Sequence, residues 1–167
     1  FEERKIIQLE MLKEIDAFCR TNNIRYTLAC GTLIGAIRHG GYIPWDDDVD
    51  ITMPFEDMMK FKELFKSDTM KYCDIDTEKN YGYHFSRIVD TRTYSKYRAF
   101  GKGYGIWIDV YPIIEGHKDK DVLDGLIEKA YVLLQKRKKM MKLRSMITNR
   151  LPFVRTIPGY RASVKSY

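Results

Sequence analysis

The sequence predicts a mixed α/β fold of the α+β kind, a mixed sheet flanked by helices. Three observations carry this expectation. Apolar residues recur every three or four positions near the N-terminus and again after Pro54. Short runs rich in Ile, Val and Tyr alternate with period two elsewhere. Helical and strand-like segments alternate first, and several strands then follow one another.

The elements follow in chain order. Ile7, Met11, Ile15 and Phe18, with Leu12 and Cys19 beside them, predict an amphipathic helix from Ile6 to Arg20, ended by Thr21-Asn22-Asn23. Ile24 to Cys30 reads as a strand entering Gly31-Thr32. Leu33 to Ile37 reads as a short helix, and Arg38 to Trp45 as a loop punctuated by glycines and Pro44. Val49 to Met53 reads as a strand whose alternation sends Asp48, Asp50 and Thr52 to one face. Pro54 opens a helix carrying Phe55, Met58, Leu64 and Phe65 to about Ser67. Strands are expected at Tyr72–Asp76, Tyr83–Asp90, Thr93–Phe100 and Gly105–Tyr111. A long helix runs from Asp119 to Lys142 or beyond.

Composition narrows the class. The chain has 167 residues, 44% of them hydrophobic and 13% aromatic, which excludes a disordered polypeptide. No apolar run approaches the ~20 residues that span a bilayer, and the opening residues Phe1-Glu-Glu-Arg-Lys hold no secretory apolar region. Cys19, Cys30 and Cys73 are odd in number and lack a CxxC pattern, as expected of reduced thiols in a cytoplasmic protein. The net charge of +6 is uneven: residues 135–167 hold 10 Lys and Arg and no acid, whereas residues 1–134 hold 19 against 23 acids. Two regions are therefore expected, a domain over 1–134 and a basic helical tail over 135–167.

Asp46, Asp47, Asp48 and Asp50 crowd into five positions, and such carboxylates repel one another unless a cation neutralises them. Asp48 and Asp50, one residue apart on a strand, point to the same side and suit Mg²⁺ or Mn²⁺. A lone Asp109 in the apolar segment Gly105-Ile-Trp-Ile-Asp-Val-Tyr offers a third carboxylate; its competing reading is a hydrogen-bonded structural residue. Asp46, Asp48 and Asp50 match positions 1, 3 and 5 of an EF-hand loop, but Ile51 stands where Gly is required and Asp57 where Glu is. A merely solvated acidic turn fits poorly between a Pro-Trp pair and a hydrophobic strand. Upstream, Gly31 brings backbone close to an anion and Thr32 adds a hydroxyl, at the positive end of a helix. This is not a P-loop, since no Gly-Lys-Ser/Thr follows.

The stretch Gly31-Thr-Leu-Ile-Gly-Ala-Ile-Arg-His-Gly-Gly-Tyr-Ile-Pro-Trp-Asp-Asp-Asp-Val-Asp-Ile51 closely resembles the signature of the LicD family, phosphocholine transferases and distant fukutin-type relatives within the nucleotidyltransferase superfamily. The resemblance runs from the first helix to Gly105–Pro112. It implies a nucleotidyltransferase-like sheet, donor phosphates held by Gly31 and Thr32, a metal triad of Asp48, Asp50 and Asp109 with Mg²⁺ or Mn²⁺, and Asp46 as an additional acid. It further implies a CDP-choline or related CDP-alcohol donor and an acceptor hydroxyl on a cell-surface glycan or lipid-linked saccharide. Asp46 or Asp109 would then take the acceptor proton.

Other residues are weighed beside these. Arg38 can clamp a diphosphate or simply be solvated; His39 can be a proton carrier or an exposed loop residue. Arg87, on a central-looking strand, can meet a phosphate or pair with the carboxylates. Trp45 is expected to pack beneath the acidic loop. Tyr81, Tyr83, Tyr94, Tyr97, Tyr104 and Trp107 offer aromatic faces for a choline group, although strands are rich in Tyr in any case. The basic tail suits the inner face of a membrane or an anionic lipid-linked acceptor; no nucleic-acid reading module is present. Two alternatives stay open: a nucleotidyltransferase releasing pyrophosphate, and a non-enzymatic surface-binding module with structural acids.

Overall fold

The computed structural model describes residues 2–78, 81, 83–94, 105–116 and 118–150. The chain divides into two compact units, 1–115 and 116–167.

The first unit contains α1 (Glu2–Thr21), β1 (Thr27–Leu28), α2 (Cys30–His39), β2 (Asp50–Pro54), α3 (Phe55–Leu64), β3 (Met70–Cys73), β4 (Ser86–Asp90) and β5 (Trp107–Ile113). The strands form one sheet in the order β1-β2-β5-β4-β3. Only β2 and β5 are parallel; the other pairs are antiparallel, so the sheet is mixed, as expected. The chain leaves α1 through Asn23 in the left-handed region (φ 50°), with the Ile24 N–H closing on the Cys19 carbonyl at 2.9 Å.

The core explains the alternation. Ile51, Met53, Ile88, Ile108 and Val110 form the apolar face of the sheet and share one cluster with Met11 and Ile15 of α1 and Met58 and Phe61 of α3. Phe61 stacks on Phe65 at 4.4 Å between ring centres, and Phe18 meets both rings edge-on. Each such side chain contributes roughly 1.5–3 kcal/mol on burial. The residues between them, Asp50, Arg87 and Asp109, necessarily face the other way.

Several expectations shift in detail. The helix predicted over Leu33–Ile37 starts earlier and ends later, so Gly31 and Thr32 lie in its first turn and Arg38 and His39 in its last. It ends on Gly40 in the left-handed region (φ 65°). The strand predicted from Val49 begins at Asp50, and the strand predicted over Ile24–Cys30 contracts to two residues, because the chain enters α2 at Cys30. The strand expected at Thr93–Phe100 falls largely outside the described residues, as do Tyr97 and Tyr104.

The second unit contains α4 (Lys120–Arg150). Its start is capped by Asp119, whose Oδ1 accepts the N–H groups of Asp121 at 2.9 Å and Val122 at 3.3 Å. Leu126, Ile127, Tyr131, Leu133, Met140 and Leu143 are exposed along it. Among the described residues no helix is long and apolar enough to cross a membrane. The segment from Leu151 onward lies outside the described residues.

Candidate active site

The three central strands assemble the site. Asp50 on β2 stands in register with Asp109 on β5, and Asp109 with Arg87 on β4. Three strands thus place two acids and one base in a row across the face opposite α1 and α3. The loop entering β2 adds Asp48. Carboxylate oxygens of Asp48, Asp50 and Asp109 all lie within 4.8 Å of one another. Asp46, Asp47 and Asp48 form a second, more exposed group of the same kind, sharing Asp48.

Electrostatics follow from burial and crowding. Asp48 is pushed up to about 6, first by burial and then by the negative charges of Asp50 and Asp46. Asp50 is raised by burial and by Asp109, while the Cys30 thiol donates to it and works in the other direction. Burial also raises Asp109, opposed by Arg87. Tyr111, beside the same acids, is held firmly in its neutral form by burial and by the charges of Asp109 and Asp50.

Arg87 is a strand residue with almost no exposure. Its Nε donates to Asp109 Oδ1 at 2.6 Å and its Nη2 to Oδ2 at 3.4 Å. Its guanidinium lies over the Tyr83 ring at 3.6 Å from the ring centre and over that of Trp107 at 4.4 Å. Burial disfavours its charge, but the Asp109 pair outweighs burial and leaves its basicity raised. Of the two roles weighed for Arg87, the structure displays the pairing with a carboxylate.

The turn into α2 borders the acids. Cys30 adopts φ 47°, an uncommon conformation for a residue with a side chain, where the chain bends from β1 into the helix. Thr32 Oγ1 accepts the Asp50 N–H at 2.9 Å, which ties the first turn of α2 to β2. A β-carbon on Gly31 would lie 2.3 Å from Asp46 Oδ2, so the missing side chain makes room for that carboxylate. Gly35 likewise lets the following loop close on the helix, since a β-carbon there would meet the Gly41 carbonyl at 2.4 Å.

Other expected residues sit elsewhere. Arg38 and His39 are exposed at the far end of α2, roughly 10 Å along the axis from Gly31 by helical rise. Trp45 does not pack beneath the acidic loop; it is 80% exposed. The turn in which the Asp46 N–H bonds the Ile43 carbonyl at 3.0 Å carries residues 44 and 45 outward at its tip. Of the aromatic candidates, Tyr81 and Tyr83 join Phe85 and Tyr111 in a chain of ring contacts 4.6 to 5.6 Å apart beside Arg87. Tyr94 is exposed.

One functional neighbour escaped the reading of the sequence. Gln8 of α1 is completely buried and bonded to the acidic loop and to β5. The signal was present, because the buried stripe Met11, Ile15 and Cys19 extends back by three residues to a polar Gln8.

The arrangement can hold one divalent cation. Oxygen ligands of Mg²⁺ at ~2.1 Å lie at most ~4.2 Å apart, so a contraction of under ~1 Å would complete the trio. Three carboxylates less one guanidinium leave a charge that one such ion balances.

Comparison with known proteins adds the lineage. The family described as "LicD/FKTN/FKRP, nucleotidyltransferase domain" matches residues 23–151. The chain is 30% identical over 148 residues to the lipopolysaccharide cholinephosphotransferase LicD of Haemophilus influenzae, covering 85% of this chain and 52% of that protein. It is 49% identical over 41 residues to the human ribitol 5-phosphate transferase FKRP, covering 25% of this chain and 8% of that protein. It is 28% identical over 83 residues to mannosyltransferase regulator 4 of Saccharomyces cerevisiae, covering 50% and 7%. The chain spans about half the length of the Haemophilus relative and a small part of the other two. With a match that spans most of its residues and includes both acid-bearing strands, the chain belongs to the LicD family.

Proposed function

We propose that the chain transfers a phosphoryl-alcohol group, of phosphocholine type, from a CDP-activated donor to a hydroxyl of a glycan or lipid-linked saccharide. The observation that carries this reading is the convergence of Asp48, Asp50 and Asp109 from two parallel strands and a loop, beside the first turn of α2. The printed activities of the cholinephosphotransferase and ribitol 5-phosphate transferase relatives support the reaction class.

A divalent cation, Mg²⁺ or Mn²⁺, held by Asp48, Asp50 and Asp109 would neutralise charge on the donor diphosphate. The N–H groups of the first turn of α2, at Gly31 and Thr32, offer the positive end of a helix to the same phosphates. The acceptor oxygen forms the new bond to phosphorus as the bond to the departing CMP breaks. Its proton goes to a carboxylate. Asp46 suits that task better than Asp109, whose two oxygens are already engaged by Arg87. The ring ladder from Tyr81 to Tyr111 offers faces for a quaternary ammonium. Arg38 lies too far along α2 for the clamp role to be favoured. The basic charge of α4 suits anionic lipid, which would favour reaction at the cytoplasmic face of a membrane.

The test is the leaving group. The chain is incubated with Mg²⁺, a CDP-alcohol series that includes CDP-choline, and a glycan acceptor, and phosphorus NMR follows the products. Release of CMP together with a phosphodiester on the acceptor is expected. Pyrophosphate release from a nucleoside triphosphate would instead favour nucleotidyl transfer, and the absence of Mg²⁺-dependent binding of any CDP-alcohol would overturn the reading.

The acids also set a pH dependence. The folded-state pKa of Asp48, about 6, exceeds its ordinary value, so ionisation costs stability in the cation-free protein. That contribution is fully present below about pH 4 and is lost as pH rises through 6. A cation must displace the proton, so thermal stabilisation by Mg²⁺ is expected to be clearly greater at pH 7–8 than at pH 5. Equal stabilisation at both pH values would contradict binding at Asp48.

A further inference from the structure

We propose that Gln8 is a positioning residue that sets the spacing of the two segments carrying Asp48 and Asp109, and with it the preference for a small cation over a larger one. The inference rests on the metal-site reading given above. Gln8 is fully buried, and its carboxamide is shared among three partners. Its Nε2 donates to the Trp107 carbonyl at 3.1 Å and to the Asp47 carbonyl at 3.4 Å, while its Oε1 accepts the Tyr42 hydroxyl at 3.3 Å. Trp107 lies two residues before Asp109 on β5, and Asp47 directly precedes Asp48. One planar amide therefore spans the backbone of both acid-bearing segments, from a helix that belongs to neither.

The rest of this end of α1 grips the same loop. Arg4 pairs with Asp47 at 2.9 Å and lies over the Trp107 ring at 4.7 Å, and Lys5 Nζ donates to the Pro44 carbonyl at 3.1 Å. All three residues precede position 23, where the family match begins. The first two turns of α1 thus brace an active-site loop from outside the matched region.

The energetic consequence is a matter of geometry. Mg²⁺ requires nearly octahedral oxygens at ~2.1 Å, whereas Ca²⁺ accepts six to eight at 2.3–2.6 Å in looser arrangements. Outer groups that orient ligands are typically worth 10–100-fold in metal affinity. Freeing the Asp47–Asp48 backbone from β5 should therefore cost Mg²⁺ more than Ca²⁺.

Binding of Mn²⁺, followed by electron paramagnetic resonance and displaced by Mg²⁺ or Ca²⁺, tests this on the full chain without reference to turnover. Gln8→Leu should weaken Mn²⁺ and Mg²⁺ about tenfold or more and Ca²⁺ much less. Tyr42→Phe, a milder change that removes the hydroxyl bonded to the Gln8 amide and to the Lys5 carbonyl, should shift the same ratio by a few-fold and keeps the test open should Gln8→Leu fail to fold. Met11→Ala, on the same buried stripe but with an apolar side chain that bonds neither acid-bearing segment, should lower the melting temperature and leave the ratio unchanged. An unaltered Mg²⁺ to Ca²⁺ ratio in the folded Gln8 and Tyr42 variants overturns the proposal while leaving the site intact. Failure of the parent chain to bind any of the three cations overturns the metal site itself.

Discussion

Replacing Asp50 with asparagine is expected to reduce phosphoryl-alcohol transfer by about 10³-fold or more while raising the melting temperature of the cation-free protein at pH 7. The loss corresponds to roughly 4 kcal/mol of transition-state stabilisation, a fair share of what a correctly placed metal ion supplies. The gain has a separate cause. Asp50 is buried, stands in register with Asp109 and has its pKa raised, so its charge opposes folding. Its stabilising contribution is complete only below the ordinary carboxylate pKa and is lost as pH rises through the folded value. Asparagine removes that unfavourable charge at nearly the same volume. Calorimetry with and without Mg²⁺ checks both halves: the variant should melt higher than the parent without the ion and gain little from it. A variant that melts lower, or that gains as much from Mg²⁺ as the parent, would show that Asp50 is a structural residue.

Arg87→Met should have the largest effect on stability, a loss of about 3–5 kcal/mol. The substitution leaves Asp109 buried with no counter-charge, its two hydrogen bonds gone. It also removes the cation lying over Tyr83 and Trp107, though methionine retains much of the apolar contact. Arg87→Lys should recover only part, because an ammonium cannot engage both oxygens and stack at once. Two further observations separate charge from packing. The Arg87→Met/Asp109→Asn double variant should regain most of the lost stability, since no buried charge is left alone. Mg²⁺ should stabilise Arg87→Met more than it stabilises the parent, because a cation at Asp109 takes over part of the guanidinium's task. Urea unfolding of the four proteins measures all of this. A single variant as stable as the parent would mean that the Arg87–Asp109 pair contributes nothing net.

The residues of this site differed in how far the sequence revealed them, and the differences have physical causes. Asp50 stood out through the crowded acids and its spacing from Asp48, and Asp109 because a lone acid inside an apolar strand is costly and calls for a reason. Their grouping came from the family resemblance and not from local pattern, since β2 and β5 are joined by a long connection and periodicity carries no information about which strands pair. Arg87 was visible as a cation on a strand, but its partner depended on that same pairing. Trp45 was misplaced because a large apolar side chain was expected to be buried, whereas the Ile43–Asp46 turn projects it outward. Gln8 was visible only as an interruption in an apolar stripe, and nothing in the sequence says which carbonyls such an interruption serves. The helix at Gly31 was underestimated because β-branched Thr32 and two glycines argue weakly against helix, while the Asp50 N–H and the packing of Gly35 hold it in place.

The central position of β5 has a consequence for how the protein comes into being. Among the described residues β5 is the last strand in the sequence, and it is the middle one in the sheet, flanked by β2 and β4. A nascent chain that has emerged only as far as β4 owns Asp48 and Asp50 but has a gap where its sheet should close. Contacts of such long sequence separation form late and slowly. The three-acid cluster comes into existence only when β5 slides into that gap in correct register, because a slip of one residue would present Ile108 or Val110 in place of Asp109. On the proposed reading, a cation would be captured only by chains that have finished folding, and would act as a late inspector of the sheet.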